Sequence, residues 1–133
     1  MRTVNIWVRI EPTRLTLSNY EGGPYVPNLV TNMCPNDTIV WLLNRDFTVN
    51  NNDAASTGPE PKILGVACDA ISSSSEFPNG SLAACLSGHQ NMEAEEGQDF
   101  VDCRYQIVVS EGKRVLEHDP KLRVSQPGRM GCR

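Results

Sequence analysis

The strongest constraint on the fold is the alternation of apolar and polar residues at the start of the chain. In residues 3–10, Val4, Ile6, Val8 and Ile10 fall on one face, while polar residues and Trp7 fall on the other. A period of two over eight residues predicts a half-buried β-strand. Pro12 stops this strand shortly after its last apolar residue.

Further short segments have the composition of strands. Ile39–Leu43 is apolar throughout and too short for a helix, which predicts a central strand covered on both faces. Trp41, within this run, is predicted to be a core residue. Glu111-Gly112 predicts a tight turn inside a hairpin. The remaining predicted strands are 15–17, 29–32, 62–68, 104–109, 113–117 and 122–124.

The middle of the chain has a different character. From about residue 44 to residue 102 it is rich in Asn, Ser, Gly and Pro, and only the 62–68 strand is clear. Residues 81–86 fit a strand or a single helical turn. A loop of this length is uncommon unless it is functional or mobile, so at least two short ordered elements are expected within it.

Seven to nine short strands and no convincing amphipathic helix predict an all-β protein. We expect a single-domain antiparallel β-sandwich with Greek-key connections over residues 1–125. A long polar, irregular insertion would occupy about 44–102, and residues 126–133 would form a flexible tail.

Charge and length narrow the possible partners. The chain has 133 residues and a net charge of −4, which makes polyanions and anionic membranes poor electrostatic partners. Its basic residues do not cluster with aromatics, which argues against nucleic-acid binding. The longest apolar run is far shorter than the ~20 residues of a membrane span. The first residues lack the apolar block of a signal peptide, so a cytoplasmic location is expected.

The cysteines give no obvious framework. Their number, five, is odd, and no Cys-x-x-Cys motif occurs. In a reducing cytosol, the expectation is scattered thiols, some packed as small apolar groups. The five positions are Cys34, Cys68, Cys85, Cys103 and Cys132.

Two segments have the spacing of a copper site. A type 1 copper ion takes two imidazoles, a thiolate and a weak axial thioether. Cys85, His89 and Met92 could supply three of these ligands from one loop between strands. In blue-copper domains, which this spacing resembles, the other imidazole follows an aspartate-led strand that ends in an Asn-x-Asp turn. Residues 36–46 have that strand and turn, but Asn50, Asn51 and Asn52 stand where the histidine is expected.

Over roughly residues 30–50 and 77–109 the chain therefore resembles the cupredoxins. This resemblance implies a cupredoxin-like or immunoglobulin-like sandwich whose copper site lacks one histidine. The only other histidine, His118, follows the ligand loop instead of preceding it. The segments 58–61 (Gly-Pro-Glu-Pro) and 118–120 (His-Asp-Pro) are also similar to a small family of bacterial proteins called DP-EP. That similarity implies a compact β-sandwich of unassigned function.

Each candidate group also has a plainer interpretation. Cys85 and His89 could be loop residues, metal ligands, or a nucleophile and its base. The acidic residues between Glu93 and Asp102 could hold a hard cation, although a solvated surface explains them as well. Trp7 lies on the polar face of its strand. Either the long loop covers it, or it forms part of an interaction surface.

The function that these observations favour is a cytoplasmic, non-enzymatic binding or assembly module without a cofactor. Its partner would be another protein or a second copy of the chain, because free sandwich edges tend to pair. Nucleic acid and membrane are not expected partners. The alternative is a copper-binding, cupredoxin-like protein that uses Cys85, His89 and Met92.

Overall fold

The computed structural model describes residues 3–34, 36–43, 61–67, 71–86 and 100–125. These residues form eleven strands and one short 3-10 turn, Pro78–Gly80. Among them, no helix is long and apolar enough to cross a membrane. The strands are β1 (Thr3–Ile10), β2 (Leu15–Ser18), β3 (Val30–Met33), β4 (Thr38–Leu43), β5 (Lys62–Ala67), β6 (Ile71–Phe77), β7 (Ser81–Leu86), β8 (Phe100–Arg104), β9 (Gln106–Glu111), β10 (Arg114–His118) and β11 (Lys121–Ser125).

The first sheet has five strands in the order β2-β1-β4-β7-β6. The alternating β1 buries Ile6, Val8 and Ile10, as its period of two predicts. In β4, Ile39, Val40 and Trp41 are all buried in succession, which confirms a central strand covered on both faces.

The other strands are arranged around one long hairpin. In β9 and β10, Ile107 lies opposite His118, and in β8 and β11, Arg104 lies opposite Lys121. The register is the same on both sides of the break at Tyr105 and Pro120, where the Tyr105 N–H donates to the Pro120 carbonyl at 3.1 Å. β5 pairs with the β9 half, and β3 pairs with the β11 half. The two three-stranded sheets are thus the two halves of one bent hairpin, each extended by a strand.

A buried aromatic pair joins the first sheet to this hairpin. Trp41 and Tyr105 have ring centroids 5.5 Å apart at a tilted angle of 58°. The Trp41 indole N–H donates to the Tyr105 hydroxyl at 3.1 Å. Both side chains are almost fully buried within one apolar core that both layers share. The predicted all-β sandwich and the predicted core position of Trp41 are both confirmed.

The β10-β9-β5 sheet is antiparallel, as expected, whereas the other two sheets each contain one parallel pair. β1 runs parallel to β4, and β3 runs parallel to β11. Parallel neighbours need a long connection between them, and here the intervening strands provide it. Alternation and β-propensity identify a strand, but they carry no information about the direction of its partner.

Short ordered elements were expected within the predicted insertion, and the structure has them. The range 44–102 contains β5, β6, β7 and the start of β8, all of which are paired within the sheets. β7 resolves the choice left open for residues 81–86 in favour of a strand, preceded by the 3-10 turn. The predicted flexible tail and the rest of the insertion lie outside the described residues.

Two cysteines are oxidised, contrary to the expectation of scattered thiols. Cys34 and Cys103 are each disulfide-bonded. Thr31 lies opposite Leu122, which lies opposite Cys103, and Cys34 is three residues beyond Thr31. Cys34 and Cys103 are therefore about 10 Å apart along the strand direction. Across the sheet they are separated by two inter-strand spacings of about 4.8 Å each. A disulfide tolerates at most about 7 Å between Cα atoms, so Cys34 and Cys103 belong to separate disulfides.

Candidate binding groove

An open groove of about 370 Å³ lies beside the first half of β1. Three segments line it: β1, the two residues after β2, and the middle of β3. We call it the β1 groove. Its lining residues are Thr3, Val4, Asn5, Trp7, Asn19, Tyr20, Thr31 and Asn32.

The groove exists because β2 is shorter than β1. β2 pairs with β1 from Ile10 only as far as Trp7, which lies opposite Ser18. Beyond that point the chain turns, and the Tyr20 N–H donates to the Ser18 hydroxyl at 3.0 Å. The first residues of β1 therefore extend past the end of β2, and their outward side chains line the groove. The alternation that buries Ile6 and Val8 also places Trp7 on this outer face.

Asn19 connects the three segments that line the groove. Its Nδ2 lies 3.5 Å from the Asn5 carbonyl oxygen and 3.3 Å from the Thr31 hydroxyl. Thr31 is itself buried. These contacts tie the turn after β2 to β1 in one layer and to β3 in the other, so the groove spans the junction of the two layers.

The lining combines aromatic rings with neutral polar groups. Among the lining residues that the structure describes, there are three Asn amides and two Thr hydroxyls, but no Asp, Glu, Lys, Arg or His. Trp7 is half-buried, whereas Tyr20 is 71% exposed. Exposed aromatic side chains next to hydrogen-bonding groups are typical of contact surfaces, because they offer a large apolar area with few rotatable bonds.

A cluster of charged residues lies at the other end of β1. Glu11 accepts hydrogen bonds from Arg9 at 2.7 Å and from the Thr16 hydroxyl at 2.8 Å. The Arg9 hydrogen bond is the main reason that the pKa of Glu11 lies below its usual range, and the hydrogen bonds from Thr16 and Arg14 add to the effect. The Arg9 guanidinium lies 5.2 Å from the centre of the Tyr25 ring. This cluster closes the β1–β2 edge and contributes no residue to the groove.

The residues predicted to bind copper are only partly described. Cys85 keeps its thiol, is exposed and lies opposite Thr38 near the end of β7. His89 and Met92 lie outside the described residues. His118, the only other histidine of the chain, lies on β10 in the other layer. Its Nε2 contacts the Pro27 carbonyl oxygen. Among the residues that the structure describes, no three His, Cys, Asp or Glu side chains are grouped as a metal site would require.

Of the predicted acidic group, Asp102 alone is described. It forms ion pairs with Arg123 at 2.8 Å and Lys121 at 3.8 Å across the β8–β11 pair. The Arg123 hydrogen bond is the main reason that the pKa of Asp102 lies below its ordinary value. Asp102 is therefore accounted for by surface ion pairing between strands, and the other acidic residues of the group lie outside the described ranges.

Comparison with known protein families and with characterised proteins finds no match to this sequence. The similarities to cupredoxins and to the DP-EP family thus stay predictions from motif spacing. Of the groove residues, Trp7 alone was singled out from the sequence, because an aromatic ring interrupts the polar face of its strand. Tyr20, Asn19 and Asn32 carry no such signal, since turn-rich and short segments are polar for many reasons.

Proposed function

We propose that the protein is a non-enzymatic binding module whose contact surface is the β1 groove. The observation that carries this proposal is the presence of Trp7 and Tyr20 in one open groove at the junction of the two layers, with no charged side chain among its described lining residues. Open grooves that combine apolar area with a few hydrogen-bonding groups are the usual form of ligand sites.

The chemistry of the lining favours binding over catalysis. General acid–base catalysis needs a side chain with a pKa near the working pH, most often His, Glu or Asp. The groove offers amides, hydroxyls and aromatic rings instead. These groups recognise a ligand by shape and hydrogen bonding without exchanging protons with it at neutral pH.

The test is a ligand screen with matched variants. Wild-type protein and Trp7→Ala are applied to a panel of immobilised oligosaccharides and to a random peptide library. Leu64→Ala is the control, because Leu64 is 50% exposed on β5 in the other layer. The expected result is a retained ligand class that Trp7→Ala loses by about tenfold or more and Leu64→Ala keeps. Binding that survives Trp7→Ala, or no binding in either panel, would contradict the proposal.

Assembly through sheet edges is a weaker proposal than ligand binding. Among the described strands, β6 forms one edge of the five-stranded sheet, and its Ser74, Ser75 and Glu76 side chains are exposed. Polar and charged side chains on an edge disfavour pairing with another chain. We therefore expect sedimentation velocity to show a monomer over a wide concentration range. A concentration-dependent dimer would restore the homo-oligomer predicted from the sequence.

Copper binding is a second candidate, and one observation favours it. Cys34 and Cys103 are oxidised, whereas Cys85 keeps an exposed thiol at the end of a strand. An exposed thiolate at the end of a strand is well placed to bind a copper ion. Titration with Cu(II) should then give an intense thiolate-to-copper absorption band that Cys85→Ser abolishes. Identical spectra for wild type and Cys85→Ser would exclude a copper–thiolate site.

The disulfides bear on where this binding would take place. Structural disulfides persist in oxidising compartments and are rare in the cytoplasm of most organisms. Cys34 and Cys103 therefore favour an oxidising or extracellular location over the cytoplasmic one expected from the sequence. We include that location in the proposal.

A further inference from the structure

We propose that the ligand of the β1 groove is a neutral oligosaccharide. This inference rests on the proposed function, since it assigns a chemical class to the ligand of the same groove. Three properties of the lining lead to it: two aromatic rings in one groove, Asn amides beside them, and the lack of charged side chains among the described lining residues.

The aromatic rings match the apolar faces of sugars. A pyranose ring presents several C–H groups on one face, and these carry a small positive charge. An indole or phenol ring presents a negative face, so the two surfaces attract each other as they exclude water. Trp7 is held on a paired strand, whereas Tyr20 follows the end of β2 and is largely exposed. The two rings thus give one fixed and one accessible stacking surface along the groove.

The amides match the edges of sugars. Each hydroxyl group both donates and accepts a hydrogen bond, and each Asn side chain does the same through its NH₂ and carbonyl groups. Asn5 and Asn32 line the groove with such side chains from β1 and β3, whereas the amide of Asn19 is engaged with the Asn5 carbonyl and Thr31. The position of Asn19 is fixed by its contacts with the Asn5 carbonyl and Thr31, which lowers the entropic cost of ordering the site on binding.

The lack of charge separates this ligand class from others. Sites for phosphates, sulfated or acidic sugars and nucleic acids contain Arg or Lys, because charge-assisted hydrogen bonds supply most of their affinity. None of the lining residues within the described part of the chain carries such a charge. Arg9, at the other end of β1, forms an ion pair with Glu11. The structure therefore points to a ligand that is polar, hydroxyl-rich and uncharged.

The experiment uses the full chain and defined sugars. Isotope-labelled protein is titrated with cellohexaose, maltohexaose, laminarihexaose, chitohexaose and mannohexaose, and with an oligogalacturonate as a charged comparison. NMR spectra follow the two indole N–H signals and the side-chain amides of the three groove Asn residues. Trp41 is an internal control, because it is fully buried and bonded to Tyr105.

We expect at least one neutral sugar to shift the Trp7 indole and groove amide signals and to leave Trp41 unchanged. Tyr20→Ala should weaken this binding severalfold and Trp7→Ala by at least about tenfold. Tyr20→Phe should restore most of the affinity, because it keeps the ring, and Leu64→Ala should not change it. Raising the ionic strength should have little effect, since no charge takes part.

Three outcomes would overturn the inference in distinguishable ways. If the peptide library binds in a Trp7-dependent manner and no sugar does, the groove is a binding site and its ligand is not a glycan. Stronger, salt-sensitive binding of the oligogalacturonate would likewise reject a neutral ligand. If neither sugars nor peptides shift the Trp7 signal, both this inference and the proposed function fail.

Discussion

At the scale of single residues, Tyr105 shows how one side chain can link the two layers. It lies at the break between β8 and β9, is almost fully buried, and accepts the only polar hydrogen of the Trp41 side chain. A buried N–H without an acceptor costs free energy, so this bond fixes the position of both rings. The sequence predicted Trp41 as core from its apolar run. It did not identify Tyr105, which directly follows the charged Arg104.

We expect Tyr105→Phe to lower the free energy of unfolding by about 1–3 kcal/mol, because the Trp41 N–H would lose its acceptor in an apolar surrounding. Chemical denaturation measured by Trp fluorescence would show this. Tyr20→Phe, at an exposed position, is the matched control and should be neutral. A Tyr105→Phe protein as stable as wild type would mean that the hydrogen bond contributes nothing in solution.

The same tyrosine should make stability depend on alkaline pH. Burial raises the pKa of Tyr105 well above the 10.0 of an exposed phenol. The folded state then keeps a proton that the unfolded state loses, so the contribution of Tyr105 to stability is constant below about pH 10 and falls as pH rises above it. Tyr105→Phe should reduce this alkaline decline. An unchanged decline in the variant would assign it to other groups.

At the scale of elements, the turn between β6 and β7 is constrained by a glycine. Gly80 has a φ of 79°, and a Cβ there would collide with the Pro61 carbonyl oxygen and lie 3.1 Å from the Lys62 Cα. Both neighbours are backbone and cannot move aside as a flexible side chain would. The turn therefore approaches the start of β5 as closely as glycine allows.

Gly80→Ala should destabilise the protein by at least about 2 kcal/mol, since left-handed backbone strain and a steric clash add together. Thermal unfolding would measure the loss. Gly22→Ala is the matched control, because a Cβ there meets nothing within 4 Å and the backbone is not left-handed. Equal effects of the two substitutions would contradict the close packing of the turn against β5.

The elements also show which strands a sequence can reveal. β1, β4, β9, β10 and β11 were predictable, because alternation or β-branched residues mark them. β6 was missed, since Ser72–Ser75 have little strand preference on their own and tertiary pairing with β7 determines their conformation. β8 was also missed, since the predicted strand 104–109 corresponds to β9 and shares only Arg104 with β8. Its pairing with β11 depends on the long hairpin and not on local composition.

At the scale of the whole molecule, the β1 groove arises from a mismatch between strands. β2 ends opposite Trp7, while β1 continues to Thr3, and β3 approaches from the other layer. The sequence shows Trp7 on the wrong face of a strand, which is a local signal. It cannot show that Asn19, Tyr20 and Asn32 meet that residue, because their proximity depends on the order of the strands and on how the layers join.

The two disulfides act on the whole molecule, because they restrict the conformations of the unfolded chain. When protein folded under oxidising conditions is alkylated without reduction, the peptide with Cys85 should be labelled and those with Cys34 and Cys103 should not. Reduction should make Cys34 and Cys103 reactive towards the alkylating agent. It should also lower the free energy of unfolding by about 2–4 kcal/mol for each disulfide bond lost. Protein made in a reducing cytoplasm should already show that lower stability. If native protein is alkylated at Cys34 or Cys103, the sandwich does not need these bonds, and the argument for an oxidising compartment fails.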